Sequence, residues 1–299
     1  MGRPKNVKHR VAIQLVLTFT VILSIITLLS SFSKHTVLQQ KQEHSQGRVY
    51  LQEKVPTFFL HGWNGSYKSE TSMVSAAIDA GVTKWVLRVD VDGNGEARLL
   101  NDIPVDATNP LIEVSFLDNT NSDYQRCASW FKSAILAVRK HYIFNEYNVV
   151  AHSMGNMVLM NYLKDYSGDS SLPRLRKQVD LAGNFNGIIG WDDEPHQMKF
   201  QKDGSPLPQT SEFTNILPLR SSYPYHQVDI LNVYGDIGDG SQSDGNVTNA
   251  SSKALHYIVV DRAKSYKELL IRGNEGQHSN LHESNQVCIA IIQFIWGKQ

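Results

Sequence analysis

The feature that most constrains this chain is a serine set between an apolar strand and a helix, in the sequence VVAHSMG at positions 149–155. Residues 147–151 form a run that is apolar except for Asn148 and is typical of a buried strand, and residues 154–163 have helical spacing. The arrangement matches the G-x-S-x-G nucleophile elbow, with Ala151 in place of the first glycine. Small flanking residues are needed because the serine sits on a sharp turn close to neighbouring chain. The pattern predicts Ser153 as a nucleophile, and the alternative is a serine that only caps the helix.

Runs of strand and helix character alternate along the chain. Strands are predicted at residues 55–60, 84–91, 110–116, 147–151, 178–182, 228–234 and 269–271, and helices at 70–80, 122–142, 154–163 and 283–296. Such alternation predicts parallel βαβ units and an α/β fold whose central, mostly parallel sheet is covered by helices on both faces. The runs at 84–91 and 110–116 both alternate apolar and polar residues around an Asp-Gly turn signal, which predicts that they pair as an edge hairpin.

The sequence FFLHGWNG at positions 58–65 predicts a hydrophobic strand that ends in a His-Gly loop. A loop of this kind ahead of an elbow is typical of the segment that supplies a backbone N–H to an oxyanion. The two donors would be the N–H groups of Trp63 and of Met154, the residue after the elbow serine. An ordinary turn is the alternative.

An acid is expected after a strand that follows the elbow. The strand at 228–234 leads into a loop with Asp236, Asp239 and Asp244. Asp244 is favoured because Ser-Asp-Gly-Asn-Val resembles the lipase pattern, in which the aspartate precedes a glycine and a hydrophobic residue. Asp236 is the second choice because it lies at the strand end. A solvated loop or a weak calcium site remains open for these acids.

A histidine base is expected ahead of the last helix, where the sequence QHSNLHE contains His278 and His282. His278 is favoured because its interval to the final helix suits a catalytic histidine, whereas His282 is expected to start that helix. The resulting order of Ser153, Asp244 and His278 agrees with the order Ser, Asp, His of elbow enzymes. His61 and His152 are expected to pack or hydrogen-bond locally.

The N-terminus differs in composition from the rest of the chain. Residues 1–10 contain four Lys or Arg, and residues 11–32 carry no charged side chain. As a helix this apolar stretch would be roughly 33 Å long, enough to cross a bilayer. The positive-inside rule then predicts a cytoplasmic head (1–10), a transmembrane anchor (11–32), a stalk (33–50) and an extracellular domain (51–299), with a lid at 184–226. A cleaved signal peptide, which would make the protein secreted, is the alternative.

The composition narrows the function classes. The chain has 29 Lys plus Arg and 29 Asp plus Glu, so its formal net charge is zero. This balance gives no indication of the excess positive charge that nucleic-acid-binding proteins typically carry. The two cysteines, Cys127 and Cys288, are expected to be buried free thiols, and a disulfide between them is the alternative. No metal or other cofactor is expected.

The strings HGWNG, AHSMGN, SDGNV and HSNLHE together resemble the α/β hydrolases, and in particular the membrane-anchored cell-surface hydrolases of Gram-positive bacteria. The resemblance covers residues 55–296 and implies the triad Ser153, Asp244 and His278. It implies the reaction type, that of a serine hydrolase, whereas the predicted lid and membrane tether favour a small-molecule or lipid ester at the outer face of the membrane as the substrate. Two residues depart from the family pattern: Ala151 replaces a glycine, and Asn156, also a glycine in those relatives, is expected to narrow the pocket.

Two other functions are compatible with the same pattern. A non-catalytic surface binding protein could retain the fold without an activated serine. An acyltransferase could use the same triad with an alcohol or amine in place of water.

Overall fold

The computed structural model describes residues 50–298. Its strands, in chain order, are β1 (Thr57–Leu60), β2 (Val86–Val91), β3 (Ala97–Leu99), β4 (Leu111–Phe116), β5 (Glu146–His152), β6 (Arg174–Leu181), β7 (Lys199–Phe200), β8 (Pro206–Leu207), β9 (Asp229–Asp236) and β10 (Ser265–Arg272). Its helices are α1 (Tyr67–Asp79), α2 (Tyr124–His141), α3 (Met154–Tyr166), α4 (Ser211–Ile216), α5 (Leu219–Ser222), α6 (Asn249–Lys253), α7 (Leu255–Val259) and α8 (Asn285–Trp296). The alternation of strands and helices predicted from the sequence is therefore present.

Helices α2 and α8 follow residues whose side chains cap them. Asp123 Oδ1 accepts the Arg126 N–H at 2.9 Å ahead of α2, and Ser284 Oγ accepts the Val287 N–H at 3.4 Å ahead of α8. These bonds satisfy backbone donors that a helix leaves unpaired in its first turn. By contrast, Ser153 precedes α3 without a side-chain capping bond.

The main sheet has the strand order β10-β9-β6-β5-β1-β4-β2-β3. Its neighbouring strands pair in parallel, except that β3 pairs antiparallel with β2. Strands β1, β4 and β9 are buried along their whole length, as expected for strands covered on both faces. The α/β fold with a mostly parallel sheet is thus confirmed.

The predicted edge hairpin between residues 84–91 and 110–116 is wrong. These runs form β2 and β4, which pair in parallel with Val86 opposite Leu111. The turn after β2 leads instead into the short strand β3. Strand β4 lies between β1 and β2 and is buried along its whole length, which is typical of an interior strand of a parallel sheet and not of an edge hairpin.

Helices cover the two faces of the sheet in different pairs. Helices α2 and α3 pack with Phe58, Val149 and their neighbours in one hydrophobic cluster. Helices α1 and α8 pack with Phe59, Val150 and their neighbours in a second cluster. Cys127 and Cys288 are buried free thiols in these two different clusters, as predicted.

The predicted cytoplasmic head, anchor and most of the stalk lie outside the described residues. Within 50–298, no helix is both long and apolar enough to cross a bilayer. The predicted lid segment, 184–226, contains β7, β8, α4 and α5. Its second half is anchored in the core by the fully buried side chains of Phe213, Ile216, Leu219 and Tyr223. Its role as a lid stays a prediction.

Candidate active site

Ser153 occupies the turn between β5 and α3 with φ of 52° and ψ of −121°. A positive φ is uncommon for a residue with a side chain, and such strain is often kept at functional sites. The turn is held by the Ser153 N–H, which donates to Leu181 O at 2.9 Å. This geometry projects the hydroxyl at the carboxyl edge of the sheet, where ligands bind in open α/β folds.

Close packing requires a glycine at position 155, two residues after the serine. A Cβ added to Gly155 would lie 2.6 Å from the Leu60 carbonyl oxygen, which is backbone and cannot move aside cheaply. On the other side of the serine, a Cβ at Gly62 would lie 3.0 Å from the Ser153 Cβ. Ala151 is fully buried within β5, so the alanine is accommodated where the pattern usually has glycine.

The structure brings Ser153, His278 and Asp244 into one hydrogen-bonded chain. His278 Nε2 lies 2.9 Å from Ser153 Oγ, and His278 Nδ1 lies 2.8 Å from Asp244 Oδ2. A carboxylate can only accept, so Nδ1 carries the proton and Nε2 is left to accept the serine hydroxyl hydrogen. These contacts have the geometry that serine nucleophiles, histidine bases and orienting carboxylates require.

Asp244 is fixed by its own loop. Its Oδ1 accepts the N–H groups of Asn246 at 2.9 Å and Val247 at 2.7 Å, while its carbonyl accepts the His278 N–H at 2.9 Å. The Asp244 side chain is only 2% exposed. One oxygen therefore anchors the carboxylate and leaves the other for the imidazole.

The other candidate acids lie elsewhere. Asp236 Oδ2 is 3.2 Å from Arg272 Nη1, and its Oδ1 accepts the Gly238 N–H. Asp239 accepts the Ser241 N–H at an exposed loop tip. Neither is bonded to His278. The described residues contain no group of three or more His, Cys, Asp or Glu side chains that could bind a metal ion, so the alternative of a calcium site gains no support within them.

The other histidines surround the site without joining the chain. His282 ends a 3-10 turn (Asn280–His282) ahead of α8, and its ring packs edge-on against His152 at 4.8 Å. His152 Nε2 lies 3.0 Å from His278 O and must donate to that carbonyl, so it steadies the loop of the base. The pKa of His152 lies well below its usual value, mainly because the ring is buried and secondly because His278 lies beside it. The ring is therefore neutral.

His61 has a similar local role in the loop after β1. Its Nδ1 donates to Gly62 O at 2.8 Å, and its Nε2 accepts the Phe116 N–H at 3.0 Å. Burial lowers the pKa of His61, which agrees with a neutral ring that donates from one nitrogen and accepts at the other. The expectation of local packing and bonding holds for both His61 and His152.

The predicted oxyanion donors are available at the site. The Trp63 and Met154 N–H groups donate to no other described residue. Met154 is the first residue of α3, where a helix has unpaired N–H groups and the positive end of its dipole. Trp63 lines the same pocket as Ser153. Their role stays a prediction.

The expectation that Asn156 narrows the pocket is wrong. Asn156 is fully buried, and its Nδ2 donates to Ser153 O at 3.0 Å and to Leu181 O at 2.9 Å. The side chain turns beneath the elbow and ties it to the end of β6. It therefore supports the strained turn instead of occupying substrate space.

A pocket of about 540 Å³ opens above Ser153. Its lining includes the imidazoles of His152, His278 and His282 but no Asp, Glu, Lys or Arg among the described residues. Trp63 and Trp191 meet edge to face at its rim, with ring centroids 6.3 Å apart. An uncharged pocket with an aromatic rim suits a neutral, partly apolar ligand.

One wall of this pocket comes from the start of the predicted lid segment, 184–226, in which the sequence interpretation singled out no individual residue. Ile188, Ile189 and Trp191 line it from the loop between β6 and β7. This loop is tied to the loop of the acid: Ile189 N–H donates to Asn246 O at 2.9 Å, and Thr248 Oγ1 donates to Asp193 Oδ2 at 2.5 Å. A tryptophan within the glycine-rich sequence GIIGWDD was the only available signal.

The comparisons with known proteins agree with this fold. The family model described as "Alpha/beta hydrolase of unknown function (DUF915)" matches residues 44–298. A gene product of Listeria innocua has a solved structure similar to this chain, with a TM-score of 0.74 and 24% identity, covering 81% of this chain and 94% of that chain. The structure of a Lactobacillus plantarum protein, provisionally named a cell surface hydrolase, has a TM-score of 0.66 and 21% identity to this chain. The match covers 81% of this chain and 91% of that chain. Among curated proteins, none matches.

Proposed function

The chain belongs to the α/β-hydrolase family DUF915, and on that premise we propose that it is a serine hydrolase that cleaves carboxylic esters through an acyl-enzyme. One observation carries the proposal: the His278 imidazole lies between Ser153 Oγ, at 2.9 Å, and the Asp244 carboxylate, at 2.8 Å. A histidine held in this way can take the proton of the serine hydroxyl and return it to a leaving group.

In the acylation step, Ser153 Oγ attacks the ester carbonyl carbon as His278 Nε2 takes the hydroxyl proton. The carbonyl oxygen becomes an oxyanion, which the Trp63 and Met154 N–H groups stabilise. Asp244 keeps the ring in the required tautomer and stabilises the imidazolium. Collapse of the intermediate breaks the bond to the alcohol oxygen, and the alcohol leaves with the proton from His278.

In the deacylation step, water takes the place of the alcohol. His278 removes a proton from the water molecule while the water oxygen attacks the acyl carbon. The second tetrahedral intermediate then collapses and releases the acid. The proton returns to Ser153 Oγ, so the enzyme is restored. An acceptor alcohol or amine in place of water would give the transferase reaction, and product analysis with added alcohol separates the two outcomes.

We further propose that the substrates are neutral esters, lipid esters included, and that the reaction takes place at the outer face of the membrane. The uncharged pocket and its tryptophan rim support a neutral acyl group. The basic head and the apolar run at 11–32 support a tether with the hydrolase domain outside. Protease added to intact cells that express the whole chain should then degrade the domain. Degradation only after lysis would contradict the proposed location.

The central test is Ser153→Ala, assayed with a short-chain p-nitrophenyl ester. We expect a loss of kcat of about 10⁴-fold or more, because the nucleophile and its base act as one unit. A fluorophosphonate probe should label the wild-type protein and not the variant. Ser170→Ala, which changes an exposed serine, is the matched control and should keep full activity and labelling. Equal turnover by Ser153→Ala would refute the proposal, and an unlabelled wild-type protein would favour a binding function.

A further inference from the structure

The pocket above Ser153, called the reaction pocket below, combines few aliphatic side chains with many neutral polar ones. Its aliphatic lining, among the described residues, consists of Ile188, Ile189 and Val247. Outside the proposed triad, its amide, hydroxyl and imidazole groups come from Asn64, Ser69, His152, Asn246, Ser279 and His282. A long hydrocarbon chain is held by apolar surface that it removes from water, and this lining offers little of it. The pocket therefore suits a neutral ligand that makes several hydrogen bonds.

The part of the reaction pocket beside His278 receives the alcohol portion of an ester. In the proposed reaction His278 Nε2 returns its proton to the leaving oxygen, so that oxygen lies within hydrogen-bond reach of the ring. Ser279 follows His278 in the chain, and His282 ends the next 3-10 turn. Asn246 lies two residues after Asp244, whose carbonyl accepts the His278 N–H at 2.9 Å. We call Asn246, Ser279 and His282, which all line the pocket, the alcohol subsite.

The backbone of the alcohol subsite is held in place, whereas its side chains are free to bind. Asn246 N–H donates to Asp244 Oδ1 at 2.9 Å, and Asn246 O accepts the Ile189 N–H at 2.9 Å. Ser279 N–H donates to Gln277 Oε1 at 2.9 Å. The Asn246 amide and the Ser279 hydroxyl bond to no described residue. Because the backbone is already ordered, these groups lose less entropy when they bind a ligand.

The His282 ring adds a third neutral group to the alcohol subsite. It packs edge-on against His152, with ring centroids 4.8 Å apart, so its plane is fixed. Burial lowers the pKa of His282, and the ring is therefore uncharged at neutral pH. Its Nδ1 is enclosed and has no partner among the described residues, so Nε2 is the nitrogen left for a ligand. A hydroxyl suits Nε2 in either tautomer, because a hydroxyl both donates and accepts.

Two tryptophans at the rim provide apolar surface of a particular kind. Trp63 is 45% exposed and Trp191 is 71% exposed, and their rings are nearly perpendicular, at 85°. Exposed aromatic side chains at a pocket are typical of binding sites. The faces of an aromatic ring are negative, and they attract the C–H groups of a sugar ring, whose carbons bear oxygen. The Trp191 loop adjoins the alcohol subsite through the bond between Ile189 and Asn246.

We propose that the alcohol portion of the substrate is a neutral sugar, which binds the alcohol subsite through its hydroxyl groups while its O-acyl ester lies at Ser153. This inference rests on the proposed ester hydrolysis and narrows its substrates from neutral esters in general to O-acylated carbohydrates. Sugar hydroxyls bond to the Asn246 amide, the Ser279 hydroxyl and His282 Nε2, and the C–H face of the ring packs against the tryptophan rim. A charged group would find no opposite charge in this lining.

The kinetic test compares acetate esters of two kinds of alcohol that have the same shape. Methyl 6-O-acetyl-hexopyranosides and cyclohexylmethyl acetate both carry the ester on a CH₂ group next to a six-membered ring, and only the first kind has ring hydroxyls. The hexosides are the glucoside, galactoside, mannoside and N-acetylglucosaminide, and acetate release is measured. We expect at least one hexoside to exceed cyclohexylmethyl acetate about tenfold in kcat/KM. A ratio near one for all four would overturn the inference.

Variants test whether the alcohol subsite causes this preference. Asn246→Leu and His282→Phe nearly retain side-chain size but remove the hydrogen-bonding groups, so each should lower the ratio several-fold, and Ser279→Ala should lower it less. His282→Gln should restore part of the ratio. His141→Phe changes an exposed histidine at the end of α2 and is the matched control. Loss of folded protein cancels, since both esters are compared on one sample. A ratio that survived in all three subsite variants would refute the assignment.

A binding measurement separates this inference from the proposed function. Saturation-transfer NMR with Ser153→Ala needs no turnover, and we expect the preferred hexoside acetate to bind about tenfold more tightly than cyclohexylmethyl acetate. Preferential binding of the hexoside without hydrolysis of any ester by the wild-type protein would support the subsite and refute the esterase. Hydrolysis with a ratio of one and equal binding would refute the subsite alone. Neither hydrolysis nor binding would refute both.

Discussion

Two buried carboxyl groups in this protein have nearly the same exposure and quite different surroundings. Asp244, in the loop after β9, is 1% exposed and bonds to two backbone N–H groups and to His278. Asp180, near the carboxyl end of β6, is fully buried, and both of its oxygens share the single amide of Gln178 at 2.9 and 3.0 Å. Burial alone therefore does not determine what an aspartate does.

The difference lies in the number and direction of the donors. At the carboxyl edge of the sheet, loop N–H groups converge on Asp244 and leave one oxygen free to orient an imidazole. Inside the sheet, the neighbouring backbone donors are already used in strand pairing, so Asp180 depends on side chains. Burial raises the pKa of Asp180 to about 8, with the Gln178 bond opposing it. The first acid can serve function, whereas the second lowers stability once it is ionised.

The largest expected effect is the loss of activity when Asp244, the better partnered of the two acids, is replaced. In Asp244→Asn the amide cannot hold the imidazole in the required tautomer, so we expect kcat for p-nitrophenyl esters to fall by about 10⁴-fold. Asp236→Asn is the matched control, since Asp236 contacts Arg272 and not the imidazole. If the two variants had equal activity, the choice of Asp244 as the orienting acid would be wrong.

The second prediction concerns Asp180→Asn, which should leave ester turnover unchanged and alter the pH dependence of stability. An unfolded aspartate titrates near 3.8, and the folded Asp180 near 8. Between these values the folded state holds a proton that the unfolded state lacks, so wild-type stability falls as pH rises, by at most about 1.4 kcal/mol per pH unit. Asp180→Asn should lack this loss. Urea unfolding at pH 6, 7 and 8 measures the difference between the variant and wild type.

A parallel pH dependence in both proteins would show that Asp180 is already ionised at pH 6. In that case the hydrogen bond from the Gln178 amide would stabilise the ionised Asp180 carboxylate by more than burial destabilises it. The same amide accepts the Tyr223 hydroxyl hydrogen at 2.9 Å. Gln178→Leu would then be expected to restore the dependence.

The smallest effect concerns a third acid, Asp193, which is 4% exposed and accepts the Thr248 hydroxyl. Thr248→Val removes this donor and also the oxygen that accepts the Ser251 N–H at the start of α6, so we expect a loss of about 1–3 kcal/mol in the free energy of unfolding. Because the bond joins the Trp191 loop to the Asp244 loop, KM should rise more than kcat falls. Thr248→Ser retains the hydroxyl and should restore both values. An unchanged melting temperature in Thr248→Val would show that the bond is dispensable.

Much of the proposed triad could be predicted from the sequence because its signals are local. The turn at Ser153 is marked by the residues beside it, where the small Ala151 and Gly155 flank the serine in the G-x-S-x-G pattern. The sequence offered several acids and two histidines, and its context favoured Asp244 and His278. In the structure, His278 contacts both Asp244 and Ser153. The side chain of Asn156 was interpreted wrongly, because its partner Leu181 O lies on another strand.

The sequence by itself determined the order of strands and helices, the strained turn at Ser153 and the identity of the side chains that could form a triad, because these follow from residue periodicity and short-range sterics. Only the tertiary structure decided that β2 and β4 run parallel, that Trp191 lines the pocket above Ser153, and that Asp180 is poorly partnered. Those features depend on contacts between residues far apart in the chain. Many pairings of similar local quality compete for such contacts, and only the packing of the whole sheet selects among them.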